Sequence, residues 1–434
     1  MTAEHIQDLA RFVESSPSSF HAVAEAGRRL DAAGFTQLQE ADDWTARKAK
    51  PKPSRNSAGK HYVIRDGAVI AWIQPATASA TTPFRILGAH TDSPGFKLKP
   101  KPTIGSEGWL QAGIEVYGGP LLNSWLDREL ELAGRITFAD GSTSLVRTGP
   151  FLRFPQLAIH LDRDISDGLT LRRQAHMNPI FGLGDRADAD LLGHLAGLTG
   201  NRKAKAADIV GYDISVADTA TPTVFGLDGA FFASGRLDNL SSVHSGLTAF
   251  LRLGASHAHI PVFAAFDHEE VGSATRSGAS GPFLADILTR VGAGLGASDT
   301  DRMRAFADSW CLSADAGHAV HPNYPDRHDP ANRPVLNRGP LLKINANQRY
   351  ATDAMGAAEW ARACAQAGVG YQEFVSNNDL PCGSTIGPLT ATRLGIRTID
   401  AGIPLLSMHS ARELCGVDDP AAFTAAIGAF LAPA

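Results

Sequence analysis

Apolar positions along the chain follow two periods, and the points where one gives way to the other divide it into three stretches. Ile6, Leu9 and Val13 share one helical face, the pattern breaks at SSPSS (15–19), and it resumes from Phe20 to Phe35, so two helices are expected at the start. Tyr62–Ile64, Val69–Ile73 and Arg85–Leu87 read as strands, the last leading into the turn GAHTDSPG. From there to about residue 234 the texture is mostly β: GIEVYGG, ELELAGRITF, TSLVRTG and FPQLAIHL are short alternating runs separated by Gly and Pro, with one helix near Ala189–Leu198. Beyond Asn239, helices at Leu240–Leu253, Pro282–Leu295, Asp353–Gln366, Ser384–Leu394 and from Pro420 alternate with strands at Pro261–Phe266, Trp310–Ala314, Tyr371–Val375 and Arg397–Ile399. Such alternation predicts an α/β fold with a mostly parallel central sheet.

Strand Arg85–Leu87 cannot close a sheet without its later partners. The expected organisation is therefore one discontinuous α/β domain, 1–93 and 236–434, interrupted by a β-rich module at 94–235, in preference to three consecutive small domains. With 434 residues, 44% of them hydrophobic and 20% charged, the chain can bury such a core and a second, smaller one. A net charge of −5 favours no polyanionic partner, and the basic stretch Arg47–Lys60 reads as a solvated loop, so nucleic acid is not expected. No apolar run approaches the roughly 18 residues that would cross a bilayer, and the first thirty residues, carrying Glu4, Asp8 and Glu14, do not read as an export signal. Cys311, Cys364, Cys382 and Cys415 are far apart with no C-x-x-C pair, which suits a reducing, cytoplasmic setting.

In open α/β sheets ligands gather where strands end and loops begin. At the predicted strand ends stand His90 and Asp92 after FRILGA, Asp238 after FASGRL, Glu269 and Glu270 after PVFAAF, Asp315 after WCLSA, and His409 in PLLSMHS. Singly, each suits a cap or a turn, as do His268, His318 and His321. Together, two histidines and several carboxylates at the ends of one sheet's strands point to an open catalytic site for Zn²⁺, Mn²⁺ or Co²⁺. Two ions about 3.5–4 Å apart need one carboxylate that reaches both. In AFDHEEVGS (265–273), adjacent residues of an extended segment point to opposite sides, so Glu269 and Glu270 are expected to differ in role, one binding metal and the other serving as general base. Asp92 lies on the same side as His90 and is placed to orient its imidazole.

The sequence resembles the aspartyl aminopeptidase family of dinuclear zinc metallopeptidases along almost its whole length. The similarity is carried by FVESSPSSFHAV, GAHTDSPGFKLKP, YGGPLLNSWLDREL, PQLAIHLDR, SGRLDNL, FDHEEVGS, SADAGHAVHPNY, KINANQRYATD, PCGSTIGP and MHSARE. It implies a zinc-peptidase-like domain interrupted by a β-rich oligomerisation domain, two divalent ions per subunit, and short peptides with a free N-terminus as substrates. It further implies His90, Asp238, Glu270, Asp315 and His409 as metal ligands, Asp238 bridging, Glu269 as the base that activates water, and Asp92 as orienting residue. Lys343, in LLKINANQRY, matches a lysine that meets an acidic side chain at the substrate's first residue, against a structural ion pair as the alternative; His160, in LAIHL, matches a histidine that enters a neighbouring subunit's site, against a core histidine. Family members assemble as tetrahedral dodecamers built from dimers. The expected function is removal of an N-terminal residue, acidic by preference, from short peptides; the alternatives are a related dinuclear amidohydrolase, a broader aminopeptidase, or a non-catalytic assembly protein with structural metals.

Overall fold

A computed structural model describes residues 2–44, 59–201, 203–255 and 257–433. Most of the basic stretch 47–60 lies outside the described residues, only residues 59 and 60 being within them, at the start of a strand.

Among the described residues, nine strands form the largest sheet, in the spatial order Thr36–Gln37, Gly59–Arg65, Ala68–Gln74, Ile260–Phe266, Phe84–His90, Trp310–Ala314, Arg397–Gly402, Leu341–Lys343 and Gln372–Phe374. Its centre is parallel: Phe84–His90 pairs in parallel with Ile260–Phe266 on one side and Trp310–Ala314 on the other, and the latter pairs in parallel with Arg397–Gly402. Towards the margins the direction reverses, at Ala68–Gln74 and at Leu341–Lys343. A parallel strand joins its neighbour by a crossover, so both faces are covered and successive side chains enter different cores. Ile86, Val262 and Cys311 pack on one face against Phe283, Ile287 and Ile386. Leu87, Phe263 and Leu312 pack on the other against Leu9 and Leu30 of the N-terminal helices, Leu247 and Phe250 of helix Leu237–Leu251, and Phe423 and Ile427 of helix Asp419–Leu431.

Helix boundaries follow local chemistry. Ser18, from the SSPSS break, caps helix Ser19–Ala32 by accepting the His21 N–H. Thr385, in GSTIG, accepts from Gly387 to cap helix Ile386–Leu394, which ends at Gly395 in the left-handed region (φ +65°) that glycine adopts without strain.

A six-stranded antiparallel sheet, Thr143–Arg147, Leu130–Phe138, Ile209–Asp218, Gly95–Ser106, Trp109–Tyr117 and Ile180–Leu183, has a core of its own, in which Phe96, Ile114, Leu132, Phe154 and Ile214 meet helix Leu191–Gly197 through Leu191 and Leu195. The chain leaves it at residue 218, and Thr223–Phe225 and Phe231–Ser234 join a third sheet with Glu413–Gly416, Pro404–Leu406 and Gly317–His318.

Two expectations are corrected. The run FPQLAIHL is not a strand: Leu152 and Phe154 make isolated bridges, and residues 155–161 form an exposed loop in which Leu157, Ile159 and Leu161 face solvent. Alternation had favoured a strand there, but beyond Phe154 the segment pairs with no strand among the described residues. The Glu pair does not lie on an extended segment either; Glu269–Val271 is a 3₁₀ turn entered through His268 in a left-handed conformation (φ +64°).

Candidate metal centre

Three neighbouring parallel strands deliver donors to one edge of the large sheet. His90 is the last residue of Phe84–His90, Asp315 follows Trp310–Ala314, and the segment to Glu270 follows Ile260–Phe266, whose Phe266 stands opposite His90. Asp238 comes from the first turn of helix Leu237–Leu251, with a cis peptide to Asn239, and His409 from the loop after Pro404–Leu406.

His90 Nε2 lies 3.4 Å from Asp238 Oδ1 and 3.3 Å from Asp315 Oδ1. His409 Nε2 lies 3.4 Å from Asp238 Oδ2 and 3.5 Å from Glu270 Oε2. These separations are long for N–H···O bonds, which cluster at about 2.9–3.0 Å. They match the edge, about 3.3 Å, of a tetrahedron of ligands with bonds of about 2.0–2.1 Å to a shared cation. Asp238 Oδ1 is moreover buried without a hydrogen-bond partner, a costly state for a carboxylate unless a cation answers it. The residues present therefore fit metal: His90, Asp238 and Asp315 form one donor set and Asp238, Glu270 and His409 another, with Asp238 turning one oxygen to each; His90, Glu269 and Glu270 form a third, overlapping set.

The electrostatics agree. Burial would lower His90, yet the carboxylates of Asp238, Asp315 and Asp92 hold it well above the usual histidine value. His409 is likewise pushed up to about 10, against burial, by Asp238 and Glu270. Burial, together with Asp238, drives Glu270 well above the carboxylate range, and burial with Asp315 and Asp238 pushes Glu269 up to about 7. So much negative charge is concentrated here that protons are drawn in; a divalent cation serves the same need with more charge.

Asp92 holds the arrangement together. Its Oδ1 accepts the Glu269 N–H at 3.0 Å and its Oδ2 accepts the Glu270 N–H at 3.1 Å and the Tyr117 hydroxyl at 2.7 Å. His90 Nδ1 lies 3.0 Å from the Asp92 backbone oxygen and 3.4 Å from Oδ1, so the imidazole is oriented by the carbonyl more closely than by the side chain. The turn supplies the divergence expected of an extended segment: Glu269 Oε2 sits 3.9 Å from His90 Nε2, while Glu270 faces His409.

Lys343 is buried beside this cluster, its Nζ 2.8 Å from Asp315 Oδ2 and 2.6 Å from the Ala316 carbonyl. His160 is not among the residues brought together; it lies in the exposed loop 155–161. Among the contributors that had escaped sequence reasoning are Tyr117, whose hydroxyl donates to Asp92; Ser93, whose Oγ donates to the Asp238 carbonyl at 2.6 Å; and Gly119, whose carbonyl accepts from His409 Nδ1 at 3.1 Å. The signal for the last was the pair Gly118–Gly119 in YGGP: Gly118 has φ +64°, and a Cβ there would stand 3.1 Å from Glu270 Cβ.

Residues 12–431 match the family model described as Aminopeptidase I zinc metalloprotease (M18). A probable M18 family aminopeptidase 2 of Streptomyces coelicolor is 51% identical over 435 residues, covering 99% of this chain and 98% of the relative. Among solved structures, a chain of the Ape4 and Nbr1 complex superposes with a TM-score of 0.92 at 34% identity, over 99% of this chain and 86% of that one. The mApe1 dodecamer of S. cerevisiae superposes with a TM-score of 0.83 at 26% identity, over 98% of this chain and 96% of its own. An edge of buried carboxylates and imidazoles that calls for cations thus occurs in a chain that belongs to the M18 family of zinc metalloaminopeptidases.

Proposed function

We propose that this M18 aminopeptidase removes an acidic N-terminal residue from short peptides at a site of two zinc ions, held by His90, Asp238 and Asp315 and by Asp238, Glu270 and His409, Mn²⁺ and Co²⁺ being compatible with the same donors. The supporting observation is the pair of 3.4 Å approaches by which Asp238 presents Oδ1 to one imidazole and Oδ2 to the other, as a bridging carboxylate must. Cations bound there would supply an acidified water and polarise the scissile carbonyl. Glu269 is placed to accept the proton of an attacking water and to return it to the leaving amine. Of the Glu pair it is the more accessible, its side chain 18% exposed against 6% for Glu270. Asp92 fixes both glutamates through their backbone amides.

The acidic preference is assigned to Lys343. Its ammonium uses two of its three donors on Asp315 and Ala316, leaving the third for a substrate carboxylate. The segment 94–235 is proposed as an inserted oligomerisation unit, and the assembly as a dodecamer of the kind solved for mApe1. The exposed Leu157, Ile159 and Leu161 would be covered by a second subunit, whose active site His160 would reach.

Glu269→Gln tests the mechanism. It should retain its metal, measured by elemental analysis, while kcat on a free-amine dipeptide falls by about 10²–10⁴-fold. Unchanged turnover at full metal content would reject Glu269 as the base.

A further inference from the structure

Glu413 opens the strand Glu413–Gly416, opposite Ser234, in the third sheet, and is only 2% exposed. A buried carboxylate is normally answered by an arginine or a lysine. Here the buried Arg236 is within electrostatic reach, but the hydrogen bonds of the two oxygens go to backbone amides: Oε2 takes the Asp238 N–H at 2.9 Å and Oε1 takes the His409 N–H at 2.7 Å.

Both amides belong to residues of the metal centre, and both need help. The Asp238 N–H lies at the non-helical entry to helix Leu237–Leu251 (φ −82°, ψ 102°), ahead of its first regular turn, where no carbonyl of a preceding helical turn can accept it. His409 is held at φ +66° with Ser407 at φ +58°, a left-handed geometry that persists in non-glycine residues only when the surroundings impose it. We infer that Glu413 is a positioning residue of the metal centre, one carboxylate fastening Asp238 to His409 across 171 residues of sequence (409 − 238) so that their side chains meet at the spacing a shared cation requires. The inference rests on reading Asp238 and His409 as ligands. It explains why a glutamate stands at this buried position: a carboxylate offers two acceptors and no donor, whereas a glutamine amide would turn N–H against one of the backbone N–H groups.

The test measures zinc affinity by competition with a chelator, and the rise in Tm on adding zinc to metal-free protein, for wild type, Glu413→Gln and His409→Ala. Loss of an outer partner of metal ligands weakens metal binding by about 10–100-fold, so Glu413→Gln should bind zinc that much more weakly and show a smaller zinc-induced rise. A role confined to packing would lower the Tm of the metal-free protein and leave zinc affinity unchanged, which would overturn the inference. If His409→Ala binds zinc as wild type does, the ligand reading fails and the inference falls with it; if His409→Ala loses affinity while Glu413→Gln does not, only the inference fails. Should Glu413→Gln not fold, Glu413→Asp, too short by one methylene to span both amides, is measured in the same way with the same expected loss.

Discussion

Lys343 carries a charge into a site where it is 1% exposed, and the groups around it define what it can do. Its Nζ is bound by Asp315 and Ala316 and lies 5.3 Å from the Tyr350 ring centroid, so removing it affects a carboxylate of the proposed metal site as well as any contact to substrate. The two effects separate in a dipeptide panel. If Lys343 recognises the first residue, Lys343→Met should lower the ratio of kcat/KM for Asp-X over Ala-X by about 10–100-fold, the worth of one charge-assisted hydrogen bond. If it serves Asp315 alone, all dipeptides should slow together and the ratio should stand. His90, Glu270 and Asp315 were readable from sequence because they follow long apolar strands, as His90 does after FRILGA and Asp315 after WCLSA. Tyr117 and Glu413 were not. A tyrosine ending GIEVY is ordinary in a strand, and the glutamate of MHSARE reads as a surface charge until the amides it accepts are known.

At the level of elements, helix Leu237–Leu251 does two jobs, presenting Asp238 at its first turn and covering the central strands along its length. Close approach depends on Gly246, where a Cβ would stand 1.8 Å from Leu87 Cδ2 and 3.5 Å from the Phe263 ring. Gly246→Ala should therefore destabilise the domain by about 1–3 kcal/mol through overpacking, read as a fall in Tm or urea midpoint; an unchanged midpoint would show that the helix has room to shift. The long helices and central strands were legible because each spans enough residues to express its period. Gly317–His318, Pro404–Leu406 and Glu413–Gly416 are two to four residues long, too short for alternation to register, so the third sheet, which carries the His409 loop, was invisible. FPQLAIHL failed in the opposite way: it alternates well, but most of it has no neighbouring strand among the described residues.

Over the whole molecule, acid should loosen the fold through buried histidines that are not among the proposed metal donors. Burial lowers His5 to about 3 and His21 and His259 to about 4. With an unfolded value near 6.5, the unfolded chain binds more protons between about pH 4 and 6.5, so these groups' contribution is complete above 6.5 and is lost as pH falls towards 4. His259 isolates the effect, since its Nε2 lies 2.6 Å from the Leu431 carbonyl and a glutamine can supply the same donor. Between pH 7.5 and 5, His259→Gln should lose less stability than wild type by about 1–2 kcal/mol in urea unfolding; equal losses would show that His259 does not titrate on unfolding. The largest claim is that strand ends scattered from His90 to His409 converge to hold a pair of cations with Asp238 between them. Anomalous diffraction at the zinc edge, from crystals of the zinc-loaded protein, tests it most directly. The account predicts two peaks about 3.5–4 Å apart, one on each side of the Asp238 carboxylate. A single peak, or peaks out of bonding reach of Asp238, would contradict it.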